Sequence, residues 1–238
     1  MKKLKLIVLL ICVITVSCKS EKAKEEVDSK TISLFNGKNL DNWRGDARVW
    51  SVEEGSIVGR TTDEIKIDKN TFLIYESSFS DFELNLKYKI VGGNSGIQYR
   101  AKVLGEDDFA VAGYQADMEA GIQYSGILYE ENGRGIMALR GEKITINEDG
   151  KKTVEQFEKS ENIQAIINQD QWNNYRIVAK ENHLQHFING KKTIDVIDRE
   201  ISKKSDGGVI ALQVHKGPNM VVYFKDIIIK PAHGDIAK

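Results

Sequence analysis

The sequence predicts an all-β fold of two packed sheets. Three observations carry that reading. From Ile32 onward apolar residues recur with a period near two rather than 3.6, Gly, Asn and Asp interrupt them at short intervals, and one stretch alone, 148–171, breaks the pattern. Successive side chains of a strand point to opposite faces, so a period of two marks segments with one face buried. Many short segments of this kind are buried by packing one sheet on another.

Ahead of the domain, Lys2, Lys3 and Lys5 form a basic start, Leu6 to Val16 an apolar run, and Ser17-Cys18 its end. This is the pattern of a secretory signal, too short to span a bilayer comfortably. A small residue followed by cysteine resembles a bacterial lipobox, so residues 1–18 are expected to be a lipoprotein signal peptide, with Cys18 lipidated as the mature N-terminus. A plain secretory signal is the alternative, and either exports the chain. Residues 19–30, KSEKAKEEVDSK, are charged and without apolar periodicity, as suits a flexible tether. Residues 31–232 then read as one domain, with no internal repeat or composition shift.

Within it, strands are expected at 48–52, 56–59, 72–76, 81–90, 96–102, 111–118, 126–129, 136–139, 141–147, 173–180, 183–189, 192–197, 207–214 and 221–230. The clearest is 81–90, where Phe82, Leu84, Leu86, Tyr88 and Ile90 alternate with Glu83, Asn85, Lys87 and Lys89. Asn189-Gly190 between two runs is a type I′ hairpin signal, because both central residues must take positive φ; Glu54-Gly55 is a weaker one. The polar stretch 148–171 is expected to hold a loop with a short helix, covering one edge or one mouth of the sandwich.

Composition excludes several functions. The 34 Lys and Arg balance 35 Asp and Glu, so no net field draws the protein to nucleic acid. The two cysteines, Cys12 and Cys18, precede the domain, which therefore has neither a disulfide framework nor a cysteine-ligated metal. No G-x-S-x-G, H-E-x-x-H, Walker loop or dinucleotide fingerprint occurs. His183 and His186, three apart on a predicted strand, fall on opposite faces, and the glycine-rich run 92–96 reads as a tight turn.

The polar faces of three strands are unusual. Gln98 and Arg100 oppose Ile97 and Tyr99; Gln115, Asp117 and Glu119 oppose Tyr114, Ala116 and Met118; Gln213 and His215 oppose Leu212 and Val214. Planar amides, a guanidinium, carboxylates and an imidazole have the forked geometry that hydrogen-bonds vicinal sugar hydroxyls. Trp43, Trp50, Trp172, Tyr99, Tyr114, Tyr124 and Tyr129 are candidate stacking platforms. Taken singly, Trp50 and Trp172 read as core, His215 as an ordinary hydrogen-bonded histidine, and Arg100 with Asp117 equally as a cross-strand ion pair or as ligand groups. The shared parity of three strands supports a site.

LFNGKNLDNW (34–43), VWSVEEGSIVG (49–59), DFELNLKYKIVGGNSGIQYR (81–100), GYQADME (113–119), SGILYEENGRG (125–135), QWNNYRIVAKENHLQHFINGK (171–191), GGVIALQVHKG (207–217) and VYFKDIIIK (222–230) together resemble the 3-keto-disaccharide hydrolase family. The resemblance implies a concanavalin A-like jelly-roll β-sandwich of two antiparallel sheets. It further implies a 3-keto-glycoside substrate, oxidised at C3 by an upstream sugar 3-dehydrogenase. The ketone acidifies the C2 proton; a base removes it, an enolate forms, the C1 aglycone leaves, and water adds. On that chemistry Asp117 or Glu119 is the expected base, His215 a proton donor or base, and Arg100 the oxyanion stabiliser. Gln98, Gln115 and Gln213 would hold hydroxyls beside Asn94 and Ser95, with Tyr129, Glu130 and Arg134 as further substrate contacts. A divalent metal on Asp117, Glu119 and His215 is the alternative to Arg100. Two non-catalytic readings compete: a lectin-like carbohydrate-binding module and a scaffold domain of the cell envelope. The expected location is lipid-anchored in the envelope, facing the periplasm or the outer membrane.

Overall fold

The computed structural model describes residues 31–105 and 108–232. The signal segment, Cys18 and the tether 19–30 lie outside the described residues.

The chain forms β1 (Ile32–Ser33), β2 (Trp43–Arg44), β3 (Trp50–Glu53), β4 (Ser56–Thr61), β5 (Thr71–Phe79), β6 (Phe82–Val91), β7 (Asn94–Gly105), β8 (Ala110–Glu119) and β9 (Leu128–Glu131). There follow β10 (Gly135–Ala138), β11 (Glu142–Ile146), β12 (Lys152–Gln156), α1 (Ser160–Gln164), β13 (Asn173–Lys180), β14 (His183–Ile188), β15 (Lys191–Asp198), β16 (Gly208–Val214) and β17 (Met220–Pro231). A ten-stranded sheet runs β12-β11-β15-β14-β13-β6-β17-β4-β3, with β1 beside β17; a seven-stranded sheet runs β10-β9-β8-β7-β16-β5-β2. Pairing is antiparallel except between β11 and β15, which run parallel, so the expected pair of antiparallel sheets holds with one exception.

The alternation in 81–90 is realised in β6, whose Phe82, Leu84, Leu86, Tyr88 and Ile90 are all buried at the centre of the larger sheet. They meet Ile97, Tyr99, Tyr114, Ala116, Met118, Leu212 and Val214 of the smaller sheet in one core. Trp43 and Trp50 are buried there too. Asn189 and Gly190 take φ of 48° and 83°, and Glu54 and Gly55 46° and 73°, so both hairpins turn as their residues require. The 148–171 stretch covers an edge. Its β12 pairs with β11 at the end of the larger sheet, and α1 buries Ile163. β12 and the two-residue strands β1 and β2 were not expected, being too polar or too short to show a period.

The smaller sheet curls. The N–H of Phe72 on β5 reaches the carbonyl of Phe109, just before β8, at 3.1 Å, although β7 and β16 separate those strands in the sheet order. The curl closes a second apolar cluster, Phe72, Ile74, Ala101, Val111 and Ala211, on the face turned away from the main core. That face is concave, apolar at this end and polar at the other.

A bulge decides which residues join it. Arg100 has φ 48° and the β7–β8 register shifts between Tyr99 and Lys102. The extra residue reverses parity beyond it, placing Ala101 on the concave face and Arg100 on the other. Gly113 and Gly208 flank the bulge because their neighbours' backbones come so close: a Cβ on Gly113 would lie 2.7 Å from the Ala101 Cα, and one on Gly208 would overlap the Ala101 carbonyl.

Candidate active site

At the polar end of the concave face lies a pocket of about 580 Å³, lined by residues that include Asn94, Gln115, Asp117, Glu119, Tyr129, Gln213 and His215. All seven were expected in a site. The strand rows explain why they converge: Asp117 on β8 pairs with Gly96 on β7, and β16 lies on the other side of β7. Asp117 therefore faces Gln213 across two strand spacings, about 10 Å, with the glycine between them. A side chain on Gly96 would overlap Gln115; its absence keeps the middle of the floor low.

Asp117 is 6% exposed. Its Oδ1 accepts hydrogen bonds from Asn94 Nδ2 (3.1 Å), the Met118 N–H (3.0 Å) and Gln115 Nε2 (3.3 Å). Gln115 in turn accepts from Gln98 Nε2 at 2.5 Å. Among the described residues no donor meets Oδ2. Burial pushes the carboxyl up to about 8, against the opposing pull of these donors. A pocket-lining carboxyl of this kind gains and loses its proton near neutral pH.

Glu119 lines the pocket but is occupied. Its Oε1 accepts the N–H of Gln123 and that of Tyr124 (2.6 Å), and its own N–H donates to Ser125 Oγ at 2.9 Å. The carboxylate folds the 120–125 loop around itself and so places the Tyr124 ring at the pocket rim. Buried Arg140 grips the same loop from outside, donating to the carbonyls of Ser125 (3.0 Å) and Ile122 (2.8 Å).

Several expected residues lie elsewhere. Arg100, turned inward by the bulge, is 1% exposed. It donates to the carbonyls of Ser80 (2.6 Å) and Glu181 (2.6 Å) and to Asp81 Oδ1 (2.8 Å), tying loops together far from Asp117. It lies outside the pocket that Asp117 lines, where an oxyanion stabiliser was expected. Glu130 and Arg134 also leave the site: the guanidinium is held by Glu130 (2.6 Å), Asp198 (2.7 Å) and Glu200 (3.0 Å), a buried cluster joining the two sheets. Ser95 and Gln98 are wholly buried beneath the floor, Ser95 donating to the Gln213 carbonyl at 2.6 Å and Gln98 bracing Gln115. They support pocket-lining groups without lining the pocket themselves.

Asp117, Glu119 and His215 share the pocket wall but do not form a ligand set. No group of three His, Cys, Asp or Glu side chains among the described residues could hold a metal ion. Of the aromatic candidates, Tyr99 and Tyr114 are core and Trp172 lies against Tyr223, Lys89 and Lys225, while Tyr124 and Tyr129 line the pocket. His183 and His186 are separated as expected: His183 bonds Asp195 at 2.8 Å, while His186 is buried against the Tyr99 hydroxyl at 2.9 Å.

Glu131 was missed. It lines the pocket, accepting from Asn70 Nδ2 at 3.1 Å and Gln213 Nε2 at 3.4 Å. Its signal was present: β9 runs through 131, and Tyr129 and Glu131, two apart, share a face that Glu130 does not. Asn70, just before β5, had no such signal, since it meets Glu131 of β9 only through the curl of the sheet.

A jelly-roll sandwich with a polar, tyrosine-rimmed pocket on the concave face of its smaller sheet belongs with the galectin-like and concanavalin A-like folds. Solved structures agree. A candidate glycosyl hydrolase from Parabacteroides distasonis is 23% identical with a TM-score of 0.56, over 85% of this chain and 94% of that one. The carbohydrate-binding module CBM66 of Bacillus subtilis is 14% identical with a TM-score of 0.53, over 79% and 95%. A Bacillus subtilis protein of unknown function with a galectin-like fold is 9% identical with a TM-score of 0.55, over 88% and 96%. No curated protein matches. The chain belongs to the 3-keto-alpha-glucoside-1,2-lyase-like domain family, whose model matches residues 30–230.

Proposed function

We propose that the concave pocket cleaves a glycoside already oxidised at C3, by elimination across C1 and C2 followed by hydration. The observation that carries this reading is Asp117, a buried carboxyl that lines the pocket, with Oδ1 fixed by three donors and Oδ2 free. In its ionised form Oδ2 takes the C2 proton, which the adjacent ketone acidifies. The electron pair moves into the enolate, the C1–O bond breaks, and the aglycone oxygen takes a proton. His215, beyond the end of β16 and across β7 from Asp117, is the proposed donor to that oxygen. Gln213, Asn94 and Gln115 face the space where the ring's oxygens would sit, and Tyr124 and Tyr129 offer their faces to the ring. The elimination half agrees with the lyase-like description of the family. Water adding to C1 of the eliminated product completes a net hydrolysis.

The protein would act outside the cytoplasm, held to the cell envelope through lipidated Cys18, downstream of a sugar 3-dehydrogenase that supplies the ketone. The basic start, apolar run and terminal cysteine of residues 1–18 support the anchor.

The test is incubation of the purified domain with a 3-keto-glucoside and its unoxidised parent in deuterated water. Release of the aglycone from the oxidised substrate alone, with deuterium at C2 of the recovered sugar, is expected. Binding of both compounds without cleavage of either would overturn the reading in favour of a carbohydrate-binding module.

A further inference from the structure

Asp117, Glu119 and Glu131 are the carboxylates that line the pocket. The proposed chemistry uses the first, and the second holds the 120–125 loop; Glu131 has neither task. Both its oxygens are fixed in place. Oε1 accepts from Asn70 Nδ2 at 3.1 Å and Oε2 from Gln213 Nε2 at 3.4 Å. Asn70 is itself held, its Oδ1 accepting the Lys216 N–H at 3.1 Å. The carboxylate therefore stands where β9, the start of β5 and the end of β16 meet. A carboxylate has about four lone-pair sites, so each oxygen keeps one free. Glu131 is half-buried and lines the pocket, so a ligand can reach it.

Its charge is left in place. Glu130, one residue earlier, is paired with the Arg134 guanidinium at 2.6 Å, whereas the partners of Glu131 are two uncharged amides. Its position relative to Asp117 follows from the strands. Gln213, which Glu131 holds, faces Asp117 across two strand spacings, about 10 Å. Tyr129, two residues before Glu131 on β9, shares its face and lines the same pocket. Burial holds the Tyr129 hydroxyl above its ordinary range, and the charges of Glu131 and Asp117 push the same way, so this ring is within reach of both carboxylates. A pyranose lying on Tyr129 with C2 at Asp117 turns C5, the ring atom opposite C2, and its C6 substituent toward the wall where Gln213 and Glu131 stand.

We infer that Glu131 is the specificity residue for that edge of the sugar: it accepts the hydroxyl at C4 or C6 and excludes sugars that carry a carboxylate at C6. The inference rests on the proposed cleavage, which sets C2 at Asp117. An ionised carboxylate only accepts hydrogen bonds, so it favours hydroxyl donors and leaves a second carboxylate without a partner and repelled. In a partly buried pocket that repulsion is screened less than on an open surface. The glycone selected is a neutral hexose, and the glycosides rejected are uronides.

The test compares the methyl glycosides of 3-keto-glucose and 3-keto-glucuronic acid, of one anomeric configuration and near neutral pH. Affinities are measured by NMR titration on Asp117→Asn so that turnover does not intervene. The glucoside is expected to bind at least about tenfold tighter at low salt, and the ratio should shrink as salt is added, as a merely structural role for Glu131 would not require. Adding Glu131→Gln, which keeps the shape and removes the charge, should bring the ratio toward one. A glucuronide that binds as tightly as the glucoside, or more tightly through Lys216 in the same pocket wall, overturns the inference. So does a ratio that Glu131→Gln leaves unchanged, and so does binding of neither compound. The first comparison needs no substitution at 131, so it does not depend on that variant folding. Failure of the cleavage reading shows separately: the chain with Asp117 intact would then release methanol from neither glycoside, while the affinity ratio still reports on Glu131.

Discussion

Replacing Asp117 by Asn should make the protein more stable as it makes it inactive, with an effect that depends on pH in a defined direction. Asn keeps an oxygen where Oδ1 accepts from Asn94, Met118 and Gln115, but cannot ionise. In the folded chain burial raises the Asp117 carboxyl from 3.8 to about 8. Between those values the unfolded chain has released a proton that the folded chain still holds. Stability therefore falls as pH rises through the window and levels off above about 8. Roughly four units at about 1.4 kcal/mol each set a ceiling on the order of 6 kcal/mol. Asn abolishes the loss, so the stability of the variant relative to the wild type should climb by at least ~2 kcal/mol between pH 4.5 and 8.5. Urea unfolding of both proteins at several pH values measures this. A difference that stays constant across that range would refute the raised carboxyl and with it the reason for choosing Asp117 as the base. In the same variant turnover should drop by roughly 10²–10⁴, the usual contribution of a general base. In the wild type, kcat/KM should rise with pH toward a plateau above about 8, because the ionised form of the free protein is the base.

Arg134→Met strands Glu130, Asp198 and Glu200 in a buried site without their cation; a loss of about 3–5 kcal/mol is expected by urea unfolding, and near-normal stability would show that the cluster is not a clamp. Gly96→Ala forces Gln115 aside and should raise KM at least about tenfold, checked by kinetics on the 3-keto-glucoside; unchanged KM would place the substrate away from the floor. Glu119→Ala releases the Gln123 and Tyr124 amides, so KM should rise more than kcat falls. A kcat loss equal to that of Asp117→Asn, with KM intact, would make Glu119 a base instead of a loop anchor.

The site was legible where periodicity alone decides it. Gln115, Asp117 and Glu119 share one face of an uninterrupted strand, and Gln213 with His215 shares another, because a pleated backbone turns alternate side chains the same way. Arg100 broke that rule through a bulge whose cause lies in other strands: Gly113 and Gly208 admit the distorted backbone. Glu130 was chosen over Glu131 because β9 was expected to end at 129, two residues early. At a strand end one residue of error changes the face.

The residues by themselves determined the sandwich, its main strands, its two hairpin turns and the sugar-suited character of three strand faces, all consequences of backbone geometry within a few consecutive residues. Only the tertiary structure decided the rest. The curl that brings Asn70 and Glu131 together, the burial that raises Asp117 and the loop that occupies Glu119 depend on which strands lie side by side. Strand order is set by contacts between segments distant in sequence, and the dielectric around a carboxyl by everything packed against it. Neither is written in any one segment of the chain.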